Sequence, residues 1–305
     1  MVHIFIINAY AGNDNFSAGL RNHLSKRTDI TYYIFHSRSR ENETEIAREV
    51  INLFEGEDIR IYSCGGSGTF RNILAGIDDL SKVELAFYPK GLTNDFLKVF
   101  GEKEKYFKDI DNLIDGIVTP IDYINTNHGK ALNTFSLGLD TIQVSKSDFY
   151  RPMMVFGKRT PYFLGYIAAL FRFSPYDVEI EFDGKKRTGR FTEVFLGNGC
   201  VIGGTLWMDE CADIADGLGR LVLFKCDRAI QRLTGLLTCA KKDISSIQKY
   251  GTVGYTSGLA IRRRDGVPLV VDFDGELQPA QREWKVEIVQ KGLKFVIPKG
   301  VLSDE

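Results

Sequence analysis

No apolar run in this chain reaches the roughly 20 residues that a bilayer-spanning helix needs. The longest one, Tyr162 to Phe173, gives way to charged sequence. The opening Val2-His3-Ile4-Phe5-Ile6-Ile7 is too short for the apolar core of a signal peptide and lacks the flanking basic and small residues, so it reads as a buried strand. Cysteine is sparse: Cys64, Cys200, Cys211, Cys226 and Cys239 form no CxxC pair. An odd number of scattered thiols without an export signal argues against a disulfide framework or structural zinc and for a reduced, cytoplasmic protein. An excess of one charge is missing as well. The formal net charge of -1 gives nucleic acid no overall basic surface, although Arg262-Arg263-Arg264 remains a local anion candidate. There is no low-complexity linker and no internal repeat. What is present is 305 residues with ordinary apolar and charged fractions, enough to bury a sizeable core in one large or two ordinary domains.

From the first residues, apolar runs of strand length alternate with amphipathic stretches. Val2 to Asn8, Thr31 to Phe35, Ile59 to Ser63 and Val83 to Tyr88 read as strands. Phe16 to Lys26, Glu41 to Phe54 and Phe70 to Leu80 read as helices, and a further helix opens at Asn94 or Asp95 after the loop Pro89 to Thr93. The alternation predicts a mainly parallel sheet with helices on both faces, and such sheets bind ligands at the carboxyl ends of their strands. After about Asp122 the texture changes to period-two segments with hairpin spacing: Ala131 to Leu137, Asp177 to Phe182, Arg190 to Leu196, Gly219 to Phe224, Leu269 to Asp272 and Trp284 to Gln290. This predicts a second, largely antiparallel β domain. Tyr162 to Phe173 and Arg228 to Ala240 interrupt it as helices, and Phe182-Asp183-Gly184-Lys185 marks a turn. With no linker between the halves, a cleft is expected where they meet.

Gly65-Gly66-Ser67-Gly68-Thr69 lies between a predicted strand and a predicted helix. Glycines there let backbone N–H groups converge on an anion at a helix N-terminus. By itself the segment is equally a tight strand-to-helix turn without a ligand. It is neither a Walker A loop nor a dinucleotide GxGxxG.

Read in order with its neighbours, it belongs to a set. Asn8-Ala9-Tyr10-Ala11-Gly12 resembles NPxSG, Gly65 to Thr69 resembles GGDGT, Gly91-Leu92-Thr93-Asn94-Asp95-Phe96 resembles GTGNDF, and Phe273-Asp274-Gly275-Glu276 resembles VDGE. Asn133 to Asp140, Gly197-Asn198-Gly199 with Gly203-Gly204, and Asp216-Gly217-Leu218 agree as well. Over nearly its whole length the chain thus resembles the soluble diacylglycerol kinases and bacterial lipid kinases, with the sphingosine kinases as relatives and the NAD kinases more distant ones. The resemblance implies an α/β nucleotide-binding domain, a three-layer unit over residues 1–122, to which residues of about 291–305 return near Leu293 to Ile297. Residues 123–290 would form a β-sandwich domain on the lipid side.

It also implies roles. Asn8, Ala9, Tyr10, Ala11, Gly12, Ser37, Gly65, Gly66, Ser67, Gly68, Thr69, Thr93 and Asn94 would lie along ATP, with Ser37 equally an ordinary turn serine. Asp95, Asp122 and Asp274 match an acidic network for Mg²⁺, which usually takes one or two carboxylates from a protein. Asp274 would accept the proton of the lipid hydroxyl, with Glu276 beside it. Without the resemblance, Asp274 is a DG turn, Asp95 a first-turn acid favourable to a helix dipole, and Asp122 the end of a strand. A structural Mg²⁺ would sit at Asp216 with backbone oxygens of Asp213 and Leu218. Phe149, Met153, Met154, Phe156, Tyr162 and Phe163, with Arg151, Lys158 and Arg159, would line the lipid site or touch an anionic membrane surface; packing in the core is the plainer reading.

The departures cluster at the nucleotide side. Ser67 replaces an aspartate, Arg71-Asn72 replaces Asn-Glu, NPxSG has lost its proline and GTGNDF its middle glycine. Three readings follow. The first is an ATP-dependent lipid kinase phosphorylating diacylglycerol or a similar lipid alcohol, cytoplasmic and in transient peripheral contact with the inner membrane face. The second is a catalytically impaired nucleotide- or lipid-binding protein, and the third an NAD-kinase-like enzyme. No nucleic-acid partner is expected, and an exposed sheet edge in the β domain would permit a homodimer.

Overall fold

The computed structural model describes residues 1–9, 15–39, 42–91, 94–149, 164–165, 170, 173–210 and 212–302. The chain forms two compact units, Met1–Ile121 with Lys291–Glu305, and Asp122–Gln290.

In the first unit β1 (Val2–Asn8), α1 (Phe16–Leu24), β2 (Thr31–Ser37), α2 (Asn42–Leu53), β3 (Ile59–Gly65), α3 (Ser67–Ala75) and β4 (Val83–Pro89) alternate. The strands pair in parallel in the order β2-β1-β3-β4. Val2 is level with both Thr31 and Ile59, so Asn8 finishes beside Ser37, and Gly65 beside Pro89. One sheet edge therefore collects the carboxyl ends of all four strands. β1 and β3 are buried almost throughout, as parallel strands covered on both faces are. On α2 the buried residues are Glu43, Ile46, Ala47 and Val50, a helical stripe that begins with an acid.

Two helices differ from their sequence-based limits. α3 starts at Ser67, as soon as β3 ends, and stops at Gly76, where a Cβ would come 2.3 Å from the carbonyl oxygen of Thr44 on α2. After β4, Asp95–Lys108 is wound as 3₁₀ turns and broken at Gly101, whose φ of 57° no helix continues through. α4 (Ile110–Ile114) follows, capped by the Asp109 carboxylate on the N–H groups of Asp111 and Asn112.

The second unit contains the rest of β5 (Ile117–Thr126), then β6 (Gly129–Ala131), β7 (Thr134–Gly138), α5 (Leu139–Phe149), β8 (Tyr176–Phe182), β9 (Lys185–Phe191), β10 (Glu193–Gly197), β11 (Val201–Ile202), β12 (Leu206–Trp207), β13 (Gly219–Phe224), α6 (Ala229–Ala240), β14 (Gly251–Thr256), β15 (Gly258–Arg263), β16 (Asp272–Phe273), β17 (Glu276–Leu277) and the first part of β18 (Glu283–Ile297). One antiparallel sheet runs β14-β13-β10-β7-β16-β17, and in the other β18 continues through β15 and β8 to β9. Between them Phe135, Leu196, Leu223 and Phe273 pack with Ile180, Ile261, Trp284 and Val286 in one core. That core makes the unit a β-sandwich. Both hairpins with a two-residue Asp-Gly turn, at Asp183-Gly184 and Asp274-Gly275, have positive φ at the two positions, which sets the twist that joins adjacent antiparallel strands. The expected strand Ala131 to Leu137 is divided, because the N–H groups of Leu132 and Asn133 bond a side chain instead of a neighbouring strand.

The last residues of β18 belong to the first unit, where Lys294 and Phe295 pair in parallel with Glu84 and Leu85. Phe295 is fully buried there against Phe70, Phe96 and Phe107. Phe96 follows Asp95 directly, so this aromatic cluster anchors the turn on which Asp95 stands.

Candidate active site

At the carboxyl edge of the first unit's sheet, three loops are tied together by backbone proximity. The carbonyl of Gly65 accepts from the N–H groups of Lys90 and Gly91 at 2.7 and 3.1 Å. A Cβ on Gly91 would lie 2.4 Å from the Cα of Gly66, and one on Gly65 2.3 Å from Thr69 Oγ1. Only glycine fits either position. Asn8 at the end of β1 donates through Nδ2 to Thr69 Oγ1 at 2.9 Å, and Asn94 Nδ2 donates to the Gly91 carbonyl at 3.3 Å. Gly66, the N-cap of α3, offers no side-chain acceptor to the helix's first N–H groups. This arrangement leaves the first N–H groups of α3 without a side-chain cap at the strand termini.

Among the sequence-predicted nucleotide residues, Asn8, Gly65, Gly66, Thr69 and Asn94 are thus in one network. Ser67 and Thr69 are buried, Gly68 is half-buried and Ala9 exposed. Ser37 is buried at the end of β2 beside Asn8, and its Oγ has no hydrogen-bond partner among the described residues. Tyr10, Ala11, Gly12 and Thr93 lie outside the described residues.

A second network joins α2 and α3. Arg71 Nη2 donates to Asn72 Oδ1 at 2.7 Å, and Asn72 Nδ2 donates to Glu43 Oε2 at 3.2 Å. All three residues are buried, and Thr44 Oγ1 holds the carbonyl of Asn72 at 2.9 Å. Glu43 was missed as a site candidate. Its signal was its place on the α2 stripe, at i, i+3, i+4 and i+7 with Ile46, Ala47 and Val50, where a charged residue demands a partner.

In the second unit the carboxylate of Asp274 accepts three backbone N–H bonds, from Leu132 to Oδ2 at 2.8 Å and from Asn133 and Thr134 to Oδ1 at 2.9 and 2.8 Å. Its φ of 53° puts it in the left-handed region, so the hairpin turn and these bonds together fix it. Glu276 begins β17, half-buried and paired with Phe273. Asp122 is fully buried, and its Oδ2 accepts from Gly217 N at 2.6 Å. Asn198 Nδ2 links the carbonyls of Asp122 and Leu132 at 2.8 and 2.9 Å, while Asn133 Nδ2 donates to the carbonyl of Val201 at 2.9 Å. Asp213 and Asp216 accept from the N–H groups of Ala215 and Leu218 at 3.0 and 2.9 Å, closing successive turns.

Beside Asp274 lies a group of buried acids that the sequence did not single out by role. Ser136 Oγ donates to Asp140 Oδ2 at 2.9 Å, the N–H of Asp140 to Glu193 Oε2 at 3.2 Å, and the N–H of Gly275 to Asp272 Oδ1 at 3.0 Å. Burial first, and then the Asp140 carboxylate, push Glu193 and Asp272 well above the usual carboxyl range. Burial thus favours the protonated form of both. Burial also raises the thiols of Cys64 and Cys239 to about 12, so neither is a nucleophile near neutrality. The aromatic and basic stretch Arg151 to Phe163 lies outside the described residues, as does the side chain of Phe149.

In the second unit Asp122 and Asp274 already accept from backbone N–H groups, and in the first unit Ser67 contributes no charge. Among the described residues no cluster of three or more Asp, Glu, His or Cys side chains could hold a metal ion.

A parallel α/β unit with a glycine-built loop at its strand ends, followed by a β-sandwich, defines a class that known proteins share. Residues 3–126 match the diacylglycerol kinase catalytic domain. A diacylglycerol kinase of Bacillus subtilis (strain 168) is 27% identical over 168 residues, which are 54% of each chain, and one of Staphylococcus aureus (strain Newman) is 25% identical over 73% of this chain and 70% of its own. The match to the Bacillus subtilis protein thus spans about half of that protein's length. The crystal structure of a diacylglycerol kinase from Bacillus anthracis strain Sterne superposes with a TM-score of 0.74 at 19% identity, covering 98% of both chains, and so shares the fold. By these matches the first unit is similar to the diacylglycerol kinase catalytic domain, and the whole chain shares the fold of a bacterial diacylglycerol kinase.

Proposed function

We propose that the protein is a lipid kinase that transfers the γ-phosphoryl group of ATP to the hydroxyl of diacylglycerol or a similar lipid alcohol. The observation that carries this reading is the union of Asn8, Gly65, Gly66, Thr69 and Gly91 around the uncapped start of α3. That arrangement suits the phosphates of a nucleotide. In the transfer, the lipid oxygen bonds to the γ-phosphorus as the bond to the ADP oxygen breaks, and the hydroxyl proton leaves. The transition state is loose, so positioning matters more than proton abstraction. Asp274 suits that demand. Its three N–H donors fix the carboxylate's direction and leave it better able to orient a hydroxyl than to carry a proton away.

Radiolabel transfer from ATP to mixed lipid micelles tests the reading. Labelled phosphatidic acid from diacylglycerol supports it; no labelled product with any lipid alcohol, beside an active control enzyme, removes it. The neutral Ser67 and the buried Arg71-Asn72 pair favour a second reading, a binding protein without turnover. Nucleotide binding without product would select that one. Phosphorylation of NAD by the same preparation would instead select an NAD-kinase-like activity. No described helix is long and apolar enough to cross a membrane, so contact with lipid in this reading is peripheral.

A further inference from the structure

Resting on the reading of the substrate as a lipid, we propose that α6 docks the protein on an anionic lipid surface, with Ile230, Leu233 and Leu237 entering the interface and Arg228, Lys241 and Lys242 meeting the headgroups.

α6 has the polarity of a water-facing helix turned inside out. Its buried residues are Arg232, Gly235 and Cys239. On the opposite face Ile230, Leu233 and Leu237 are 61%, 40% and 48% exposed. Their spacing of i, i+3 and i+7 makes one apolar stripe, and Lys241, the C-cap four residues beyond Leu237, continues the same row. Among the described residues α6 is the only helix that exposes more than one large apolar side chain.

The inner face holds the stripe outward. Arg232 is only 6% exposed, and its guanidinium is committed to three carbonyls: Nε donates to Cys226 at 3.0 Å, Nη1 to Leu170 at 3.0 Å and Nη2 to Asp227 at 2.8 Å. It also stands 5.4 Å from the centre of the Phe173 ring. Two turns on, Cys239 Sγ lies 3.7 Å from Met208 Sδ, in a core with Val222 and Phe224. Turning the helix to bury its leucines would expose that core and strip the guanidinium of its acceptors. The stripe therefore stays in water, where apolar surface is unfavourable, unless an apolar layer covers it.

The charge around the stripe selects the kind of layer. Residues 225–249 carry Lys225, Arg228, Arg232, Lys241, Lys242 and Lys249 against Asp227 and Asp243, in a chain whose formal net charge is -1. Arg228 is the N-cap of α6 and Lys241 its C-cap, so exposed basic residues flank the stripe at both ends. Asp243 is engaged in capping the short helix Ile244–Ile247, accepting from the N–H of Ser246. Lys242 Nζ stands 3.3 Å from the centre of the half-buried Trp207 ring, and tryptophan and lysine both suit the headgroup level of a bilayer. An exposed apolar helix face bounded by cations is the pattern of a helix that lies in an anionic interface. A second copy of the chain fits this face less well, because a two-fold axis pairing two α6 helices, parallel or antiparallel, would set basic end against basic end.

Co-sedimentation of the full chain, without nucleotide, with vesicles of phosphatidylcholine alone or in equal parts with phosphatidylglycerol tests the docking face. The protein is expected to pellet with the anionic vesicles only, and less at raised salt. The combined variant Ile230→Gln, Leu233→Gln and Leu237→Gln should weaken this partition by about tenfold or more at an unchanged thermal midpoint. Lys241→Gln with Lys242→Gln should weaken it by about tenfold. No pelleting with anionic vesicles, equal pelleting of either folded variant, or equal binding to phosphatidylcholine alone would overturn the proposal. So would a dimer of the unaltered protein that the stripe variant converts to a monomer, which would assign the face to a second copy. Vesicle binding by a protein that phosphorylates no lipid would support the docking face and remove the kinase reading. Phosphorylation of a dissolved, short-chain diacylglycerol without vesicle binding would do the reverse.

Discussion

The two units handle buried charge in opposite ways. At the sheet edge of the first, the polar groups gathered around the glycine loop are backbone groups and neutral side chains: Gly65, Gly66, Thr69, Gly91, Asn8 and Asn94. In the second, carboxyl groups dominate, Asp122 and Asp274 bound by backbone N–H groups and Glu193 and Asp272 raised above the usual carboxyl range by burial. The difference shows that the aspartates of a motif can also organise the backbone around them. What an aspartate does depends on which donors the fold has already turned toward it.

The largest expected effect tests the acidic side. Asp274→Ala removes the acceptor for three backbone N–H groups and the group proposed to orient the hydroxyl, so turnover should fall by about 10²- to 10⁴-fold. Initial rates with diacylglycerol would measure it, and a change of less than twofold would end the proposed role. Next comes the aromatic anchor of the first unit. Phe295→Ala should cost about 3–5 kcal/mol in urea unfolding, because a fully buried ring against Phe70, Phe96 and Phe107 is lost.

The pH dependence of stability should separate the units by sign. His3, buried with its Nδ1 2.7 Å from Tyr62 Oη, is lowered to about 4 by burial first and then by Arg60. Its folded-state value lies below the ordinary 6.5, so its contribution is complete above about pH 6.5 and is lost as pH falls toward 4, up to about 3 kcal/mol. Glu193 is raised, which gives the reverse: its contribution is complete below its ordinary value of 4.5 and declines as pH rises above that. Unfolding curves between pH 4 and 8 should flatten on the acid side in His3→Leu and on the alkaline side in Glu193→Gln. The smallest effect is expected at Gly91→Ala, where the new methyl meets Gly66 at 2.4 Å; overpacking of this kind costs about 1–3 kcal/mol and should weaken nucleotide binding through the displaced loop.

Much of the first unit was legible because its signals are local. Alternating runs such as Val2 to Asn8 and Ile59 to Gly65 are read from neighbouring residues, and glycines at 65 and 91 announce turns that side chains would block. The sandwich was legible as a texture of short strands and Asp-Gly turns, although the break at Leu132 and Asn133 was not. That break is caused by Asp274, 142 positions along the chain. Likewise the 3₁₀ character of Asp95–Lys108 follows from Gly101 and from packing around Phe295, which returns from the far end of the sequence.

The sequence by itself determined which segments are strands and helices, where the glycine turn between β3 and α3 lies, and which family the chain resembles, since each of these is written in adjacent residues. Only the tertiary structure decided what the polar residues face: that Glu43 on an apolar stripe meets Asn72, that Asp274 is held by three N–H groups, and that Asp140, Glu193 and Asp272 are buried together. Those outcomes depend on register and packing between residues far apart in the chain. No local pattern carries that information, because a carboxyl group looks the same in sequence whether its neighbours in space are amides, cations or other acids.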